Sequence, residues 1–281
     1  MDAFSRFEQA GWAAIATDYE RSLGRVTDRV VGDLLDAARV TAGTRLLDLA
    51  CGPGQATAEA AGRGATAVGI DLSPAMVALA RTRHPALEFR EASAEELPFP
   101  ASSFDAVAGN FLLHHLAEPR IVLAECARVL APGGRLALTA WDLPERARFV
   151  GVLVDAIAEV GAAPPPGLPA GPDFFRYARP GEMAALFREC GFTCEVSTVA
   201  FELVISAGEL WDGFMAGTVR TAAHVRGQPA ATRERIRAAF DRHAAPYERG
   251  GRLAIPVSAV LAAGEFAQTN IDPKAPGIRI S

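Results

Sequence analysis

Apolar positions are spaced in two ways along this chain: at three- and four-residue intervals in some stretches, and in short continuous runs in others. Residues 5–40 read as helical, with Val26, Val30, Val31, Leu34 and Leu35 at helical spacing. Beyond them, β-like runs at 45–49, 67–70, 87–90, 106–110 and 135–140 alternate with helical stretches near 55–62, 74–83 and 119–130. Strand and helix in turn at this rhythm imply right-handed βαβ units and a parallel, doubly wound sheet. Ser73-Pro74 is a helix start, the hydroxyl capping and the ring presetting the first helical turn. Pro132-Gly133-Gly134 is a turn that ends one helix and launches the next strand.

After Trp141 the pattern changes. GAAPPPGLPAGP, residues 161–172, is too long for a simple connection. A helix near 180–190, a strand near 193–204, helices near 208–224 and 229–245 and a last strand at 257–263 follow, with no internal repeat.

Composition narrows the partners. The 281 residues are 50% hydrophobic and 22% charged with net charge -5, which suits one large or two small domains with an ample core. No basic stripe is available to displace counterions from phosphates, so a nucleic-acid partner is not expected. MDAFSRFEQAGW lacks a basic region followed by an apolar run, and no apolar stretch approaches the roughly 20 residues of a membrane helix. The expectation is a cytoplasmic, soluble chain that does not enter a membrane, its oligomeric state left open. The four cysteines lack CxxC spacing, so Cys190 and Cys194 read as buried small apolar residues. The five histidines show no metal-ligand spacing, and no metal is expected. His84, His224 and His243 read as surface residues. The lone lysine, Lys274, falls near the end with Asn270, Ile271, Ile278 and Ile280. Residues 266–281 are therefore read as vector-encoded or otherwise foreign sequence, with an ordinary variable tail as the alternative.

LLDLACGPG, residues 46–54, is a glycine-rich turn after an apolar run, the usual seat of a nucleotide. A triphosphate loop needs Gly-Lys-Ser/Thr, whereas Gly54 is followed by Gln55-Ala56. A dinucleotide fingerprint needs a third glycine where Thr57 stands. Asp48, at the strand end, repels a pyrophosphate but attracts an ammonium or a sulfonium. Asp71, closing the second strand in VGIDLS, can accept both hydroxyls of a ribose.

With these features in order, residues 12–142 resemble a class I S-adenosylmethionine (SAM)-dependent methyltransferase of the small-molecule, natural-product branch. The matching runs are LLDLACGPG, VGIDLS, ASAEELPFPASSFDAV, NFLLHHL and LAPGGRL, together about half the chain. The resemblance implies an α/β, Rossmann-like, seven-stranded doubly wound sheet with an antiparallel last strand. It implies one domain over 1–265: a helical N-terminal lid (1–44), a SAM-binding core (45–142), an inserted acceptor cap with the sixth strand (143–250) and the last strand (251–265). SAM is the implied cofactor and S-adenosylhomocysteine the product. Ala50, Gly52 and Gly54 are implied under the methionyl arm, Asp71 at the ribose, and Leu72 and Met76 beside the adenine. Ser93 and Ala94 take the adenine edge, where many relatives have Asp in place of Ser93, so that contact is weaker here. Asn110 offers its backbone carbonyl to the ammonium. Tyr19 and Arg25 resemble a segment that closes over SAM, Arg25 either forking the carboxylate or lying solvated on a helix.

Methyl transfer from a sulfonium is an in-line displacement, so alignment is the main need. A phenol, hydroxyl or indole also benefits from a base, typically His. His115 is the first choice and His114 the alternative, although relatives carry His-His-Leu here whatever the acceptor. Glu95 is read as orienting the histidine, as taking the proton itself, or as a helix-start charge. Phe174, Phe175, Tyr177, Trp211, Phe214 and Met215 read as the wall of a small aromatic acceptor's pocket or simply as packing of the cap. The expected chemistry is methylation at an electron-rich carbon, such as indole C3, or at oxygen. A SAM-binding protein without methyl transfer and a NAD-dependent oxidoreductase are the alternatives, the second disfavoured by Asp48 and the missing glycine.

Overall fold

A computed structural model describes residues 2–266. The chain opens with helices α1 (Ala3–Arg21), α2 (Gly24–Thr27) and α3 (Val31–Ala37). There follow β1 (Arg45–Leu49), α4 (Gln55–Gly62), β2 (Thr66–Asp71), α5 (Pro74–Arg83), β3 (Glu88–Glu91), β4 (Phe104–Gly109), α6 (Pro119–Val129) and β5 (Leu130–Trp141). The second half holds α7 (Arg148–Val160), α8 (Glu182–Glu189), β6 (Glu195–Ile205), α9 (Ala207–Gly217), α10 (Arg220–Arg226), α11 (Ala230–Ala244), the two-residue β7 (Glu248–Arg249) and β8 (Arg252–Glu265).

Seven long strands run in the order β3-β2-β1-β4-β5-β8-β6, with β7 folded back on β8 as an eighth. β1 pairs parallel with β2 and β4, while β8 runs antiparallel to β5 and β6. The fold is therefore the α/β, Rossmann-like sheet with an antiparallel last strand in sequence. Strand order reverses between β1 and β4, and the crevice at their carboxyl ends is where open α/β sheets take ligands.

Strand alternation distributes β1 between two cores. Leu46 joins Val31, Leu34 and Leu35 of α3 and Ala56 and Ala60 of α4 on one face. Leu47 and Leu49 join Val122, Leu123 and Cys126 of α6 on the other. A third cluster, rich in aromatics, packs Phe149, Val152 and Leu153 of α7 against Ile236, Ala239 and Phe240 of α11 and the start of β8.

Several expectations are corrected. No element is expected at 148–160, where α7 stands. The single helix near 208–224 is two, because Thr218 takes an extended conformation and its hydroxyl accepts the Ala222 N–H at 3.0 Å, starting a new helix. Cys51 and Cys126 are buried but Cys190 and Cys194 only half-buried. Phe266, assigned to a foreign tail, belongs to the fold, bridging to Phe192 with ring centroids 5.4 Å apart. The rest of that tail, including Lys274 and Asn270, lies outside the described residues. No described helix is long and apolar enough to cross a membrane.

Candidate active site

The carboxyl ends of β1, β2 and β4 open into a cavity of about 880 Å³, roofed by α1 and by the segment from α7 to α10. It is at the upper end of the ~300–1,000 Å³ usual for one small-molecule pocket.

The two glycines of the first turn differ. Gly52 has φ +50°, lines the cavity, and a Cβ built there would meet nothing within 4 Å. Its backbone is thus open to whatever enters. Gly54 has φ +89°, and a Cβ there would lie 2.7 Å from Phe89 Cζ. It is a glycine because β3 packs on it, and it does not line the cavity. Ala50 does, held in the left-handed region at φ +52°.

Asp48 lies outside the cavity. It is 1% exposed and its Oδ2 accepts from the Thr57 N–H at 2.9 Å and the Thr57 hydroxyl at 2.6 Å. Gly54, the N-cap of α4, has no side chain, so Asp48 supplies the acceptor that a capping residue would. Burial pushes its carboxyl up to about 7. Asp71 does face the cavity. Its Oδ2 accepts from the Gly52 N–H at 2.9 Å and its Oδ1 from the Ser73 N–H at 2.8 Å, while burial raises its pKa.

Leu72, Met76, Ser93, Ala94, Asn110 and Tyr19 line the cavity with them. Asn110 ties the N-terminal segment to the sheet, donating to the Thr27 carbonyl at 3.0 Å and accepting from the Thr139 hydroxyl at 2.7 Å. Tyr19 shares a 3.0 Å hydrogen bond with the Thr27 hydroxyl, and burial pushes its phenol up to about 12. Arg25 is exposed and does not line the cavity.

His114 and His115 both line the cavity. His115 Nδ1 is 2.7 Å from Glu8 Oε2 of α1. Glu8 is 5% exposed and also accepts the Trp12 indole N–H at 3.0 Å. Glu95, read as orienting the histidine, as taking the proton or as a helix-start charge, is exposed at the cavity rim, and the carboxylate that meets His115 is Glu8. His114 is buried, its ring 4.3 Å from that of Phe174, and burial holds its pKa well below the ordinary value. Among the described residues its Nδ1 has no hydrogen-bond partner.

The far wall is aromatic. Phe111, at φ +55°, stacks on Trp141 with centroids 3.8 Å apart, and Trp141 meets Phe149 edge-on at 4.6 Å. Of the residues read as pocket wall or cap packing, Phe174, Phe175 and Phe214 line the cavity and Tyr177, Trp211 and Met215 do not. Tyr177 is buried with α8, and Trp211 packs on Phe240. The three histidines read as surface are each partly exposed. His224 lines the cavity and donates from Nε2 to the Ala162 carbonyl at 2.9 Å; His84 packs on Phe89, and His243 pairs with Glu159 at 2.9 Å.

Glu8, Trp12, Phe111, Trp141, Phe149 and His224 were not expected here. Glu8 and His115 are 107 positions apart, and no local pattern joins them.

Comparison with known proteins gives the family. Residues 47–138 match the family described as "Methyltransferase domain". A ubiquinone biosynthesis O-methyltransferase of Xanthomonas axonopodis pv. citri is 33% identical over 169 residues, 57% of this chain and 68% of that protein. The chain belongs to the class I SAM-dependent methyltransferase family. A demethylmenaquinone methyltransferase of Clavibacter sepedonicus is 42% identical over 111 residues, 38% of this chain, which thus spans about half (45%) of that relative's length. The crystal structure of the YcgJ protein from Bacillus subtilis shares the fold, with a TM-score of 0.58 at 22% identity over 86% of this chain and 99% of that one.

Proposed function

We propose that the protein transfers a methyl group from SAM to a small aromatic acceptor, with His115 as the base. When bound, SAM supplies a methyl group made electrophilic by the sulfonium. The residues fit it. Gly52 leaves its backbone open to the cavity, and each Asp71 oxygen, already accepting one N–H, retains a lone pair for a ribose hydroxyl. Leu72 and Met76 offer apolar surface to the adenine, Ser93 and Ala94 its edge, and Tyr19, Ala50 and Asn110 enclose the methionyl end. Asp48 and Gly54 act at one remove, by holding the turn against α4 and β3.

The observation that carries the proposal is the Glu8–His115 pair, which opens into the same cavity as Gly52 and Asp71. A carboxylate accepts, so Nδ1 carries the hydrogen and Nε2 keeps a lone pair. His115 Nε2 takes the proton from an acceptor hydroxyl or ring N–H, and Glu8 stabilises the imidazolium that forms. His114, held neutral by burial, is the alternative base. Phe111, Trp141, Phe149, Phe174 and Phe214 flank the acceptor ring. The relatives are named for demethylmenaquinone and ubiquinone biosynthesis. That supports an electron-rich ring, methylated at carbon (as at indole C3) or at oxygen.

The test is incubation with methyl-labelled SAM and a panel of phenols, quinols and indoles, read by mass spectrometry. A labelled product, lost in His115→Ala while S-adenosylhomocysteine still binds, supports the proposal. Binding of S-adenosylhomocysteine with no product from any member would favour a SAM-binding protein without methyl transfer.

A further inference from the structure

The cap end of the cavity carries one arginine, Arg220, and among the described lining residues it is the sole guanidinium or ammonium. It is half-buried on α10. Its contact among the described residues is with a ring: the guanidinium carbon stands 6.0 Å from the centre of Phe4, near the start of α1. No carboxylate or carbonyl of a described residue accepts from it. The arginine at the start of α7 differs in being engaged: Arg148 donates to Asp155, Tyr247 and the Pro144 carbonyl.

The side chain is nonetheless confined. A Cβ at Gly171 would come within 2.2 Å of Arg220 Nη1 and 2.5 Å of Phe4 Cε2, so the glycine of the 161–172 loop is what leaves it room. A guanidinium has five donors and cannot lose its charge, and leaving it half-buried without an acceptor is costly. Beyond it the wall is apolar, formed by Leu153, Val154 and Ile157 of α7 with Leu168 and Pro172 of the loop.

We infer that Arg220 recognises a carboxylate on the acceptor, so that the substrate class is an aromatic acid. The inference rests on the proposed methyl transfer and names the acceptor of that same cavity. Charge balance selects the anion. One arginine matches one negative charge, and the lining already holds Glu8, Asp71, Glu95 and Glu96, so a phosphate or diphosphate would enter with too little compensation. A carboxylate suits the planar fork, which it can accept in two parallel hydrogen bonds. The ring of the acid then lies between the Arg220 end and His115.

The experiment is calorimetric binding of indole- and naphthalene-carboxylates, each beside its neutral amide, to protein saturated with S-adenosylhomocysteine. At least one acid is expected to bind about tenfold tighter than its amide, the scale of a charge-assisted hydrogen bond. That preference should vanish in Arg220→Met and survive in part in Arg220→Lys. Equal binding of every acid and amide, failure of every acid to bind, or a preference that persists in Arg220→Met would overturn the inference. So would an Arg220→Met protein that loses affinity for S-adenosylhomocysteine but not for 5′-methylthioadenosine, which lacks the amino-acid carboxylate; the guanidinium would then serve the cofactor. If wild-type protein binds no S-adenosylhomocysteine, the methyl-transfer reading itself fails. The acid and amide titrations without it still report on Arg220.

Discussion

Glu8→Gln isolates the charge on the carboxylate that meets His115. The replacement keeps the side-chain shape and leaves an amide oxygen able to accept from both Trp12 Nε1, at 3.0 Å in the native protein, and His115 Nδ1, at 2.7 Å. What it removes is the negative charge that would face the imidazolium formed in the proposed proton transfer to His115. A hydrogen bond to a charged group contributes about 1.5–3 kcal/mol. Two unit charges near 4 Å apart interact by about 4 kcal/mol at an effective dielectric of 20, which bounds the effect from above. At about 1.4 kcal/mol per tenfold, kcat should fall about 10- to 150-fold. Because α1 also roofs the cofactor end, the control is affinity for S-adenosylhomocysteine, expected within twofold of wild type. The assay is steady-state methyl transfer for wild type, Glu8→Gln, His115→Asn and the double variant. If Glu8 acts through His115, the double variant is no slower than His115→Asn alone. Additive losses, or an unchanged kcat in Glu8→Gln, would refute the reasoning.

Three further outcomes follow from the geometry. Asp71→Ala should weaken S-adenosylhomocysteine by about 10- to 150-fold in a calorimetric titration, since it removes the proposed ribose acceptor and frees the Gly52 and Ser73 amides it holds. Gly54→Ala should lower stability by about 1–3 kcal/mol, read as a drop in Tm, because its Cβ meets Phe89 in a left-handed backbone; Gly52→Ala should cost less stability and weaken ligand binding instead. Asp48 gives a pH signature. Its folded pKa of about 7 lies above the ordinary 3.8, so between those values the native state holds a proton that the unfolded chain has lost. That contribution is fully present below about 4 and declines as pH rises towards 7, by up to about 1.4 kcal/mol per pH unit. Urea unfolding at pH 5 and pH 8 should show Asp48→Asn gaining on wild type as pH rises, and an equal pH dependence of the two proteins would count against the buried carboxyl.

The sheet was legible because its strands are short apolar runs and its helices are amphipathic, and both periods survive in the letters. β1, α4 and α5 fall where the pattern puts them. The break between α9 and α10 was not, since a hydroxyl bonding one turn ahead at Thr218 leaves no trace in the apolar spacing. The glycine motif was legible as a motif but not in its parts. Gly52 and Gly54 look alike in sequence, and only the position of Phe89 on β3 tells ligand approach from packing. Asp48 likewise looks like a ligand to a cation until Thr57 is seen to occupy it. His115 could be nominated from its place after β4. Its partner could not, because Glu8 arrives on α1 from the opposite end of the chain, and Arg220 reaches the cavity through α10, an element whose start the pattern misplaced.

The central proposal is one cavity that receives an adenosyl amino acid beside a histidine base. Its most direct test is calorimetric titration of the protein with S-adenosylhomocysteine, with NAD in parallel. Binding of the first at micromolar Kd or tighter, roughly -8 kcal/mol, with no heat from NAD, is the predicted result. Binding of NAD alone, or of neither, would contradict it.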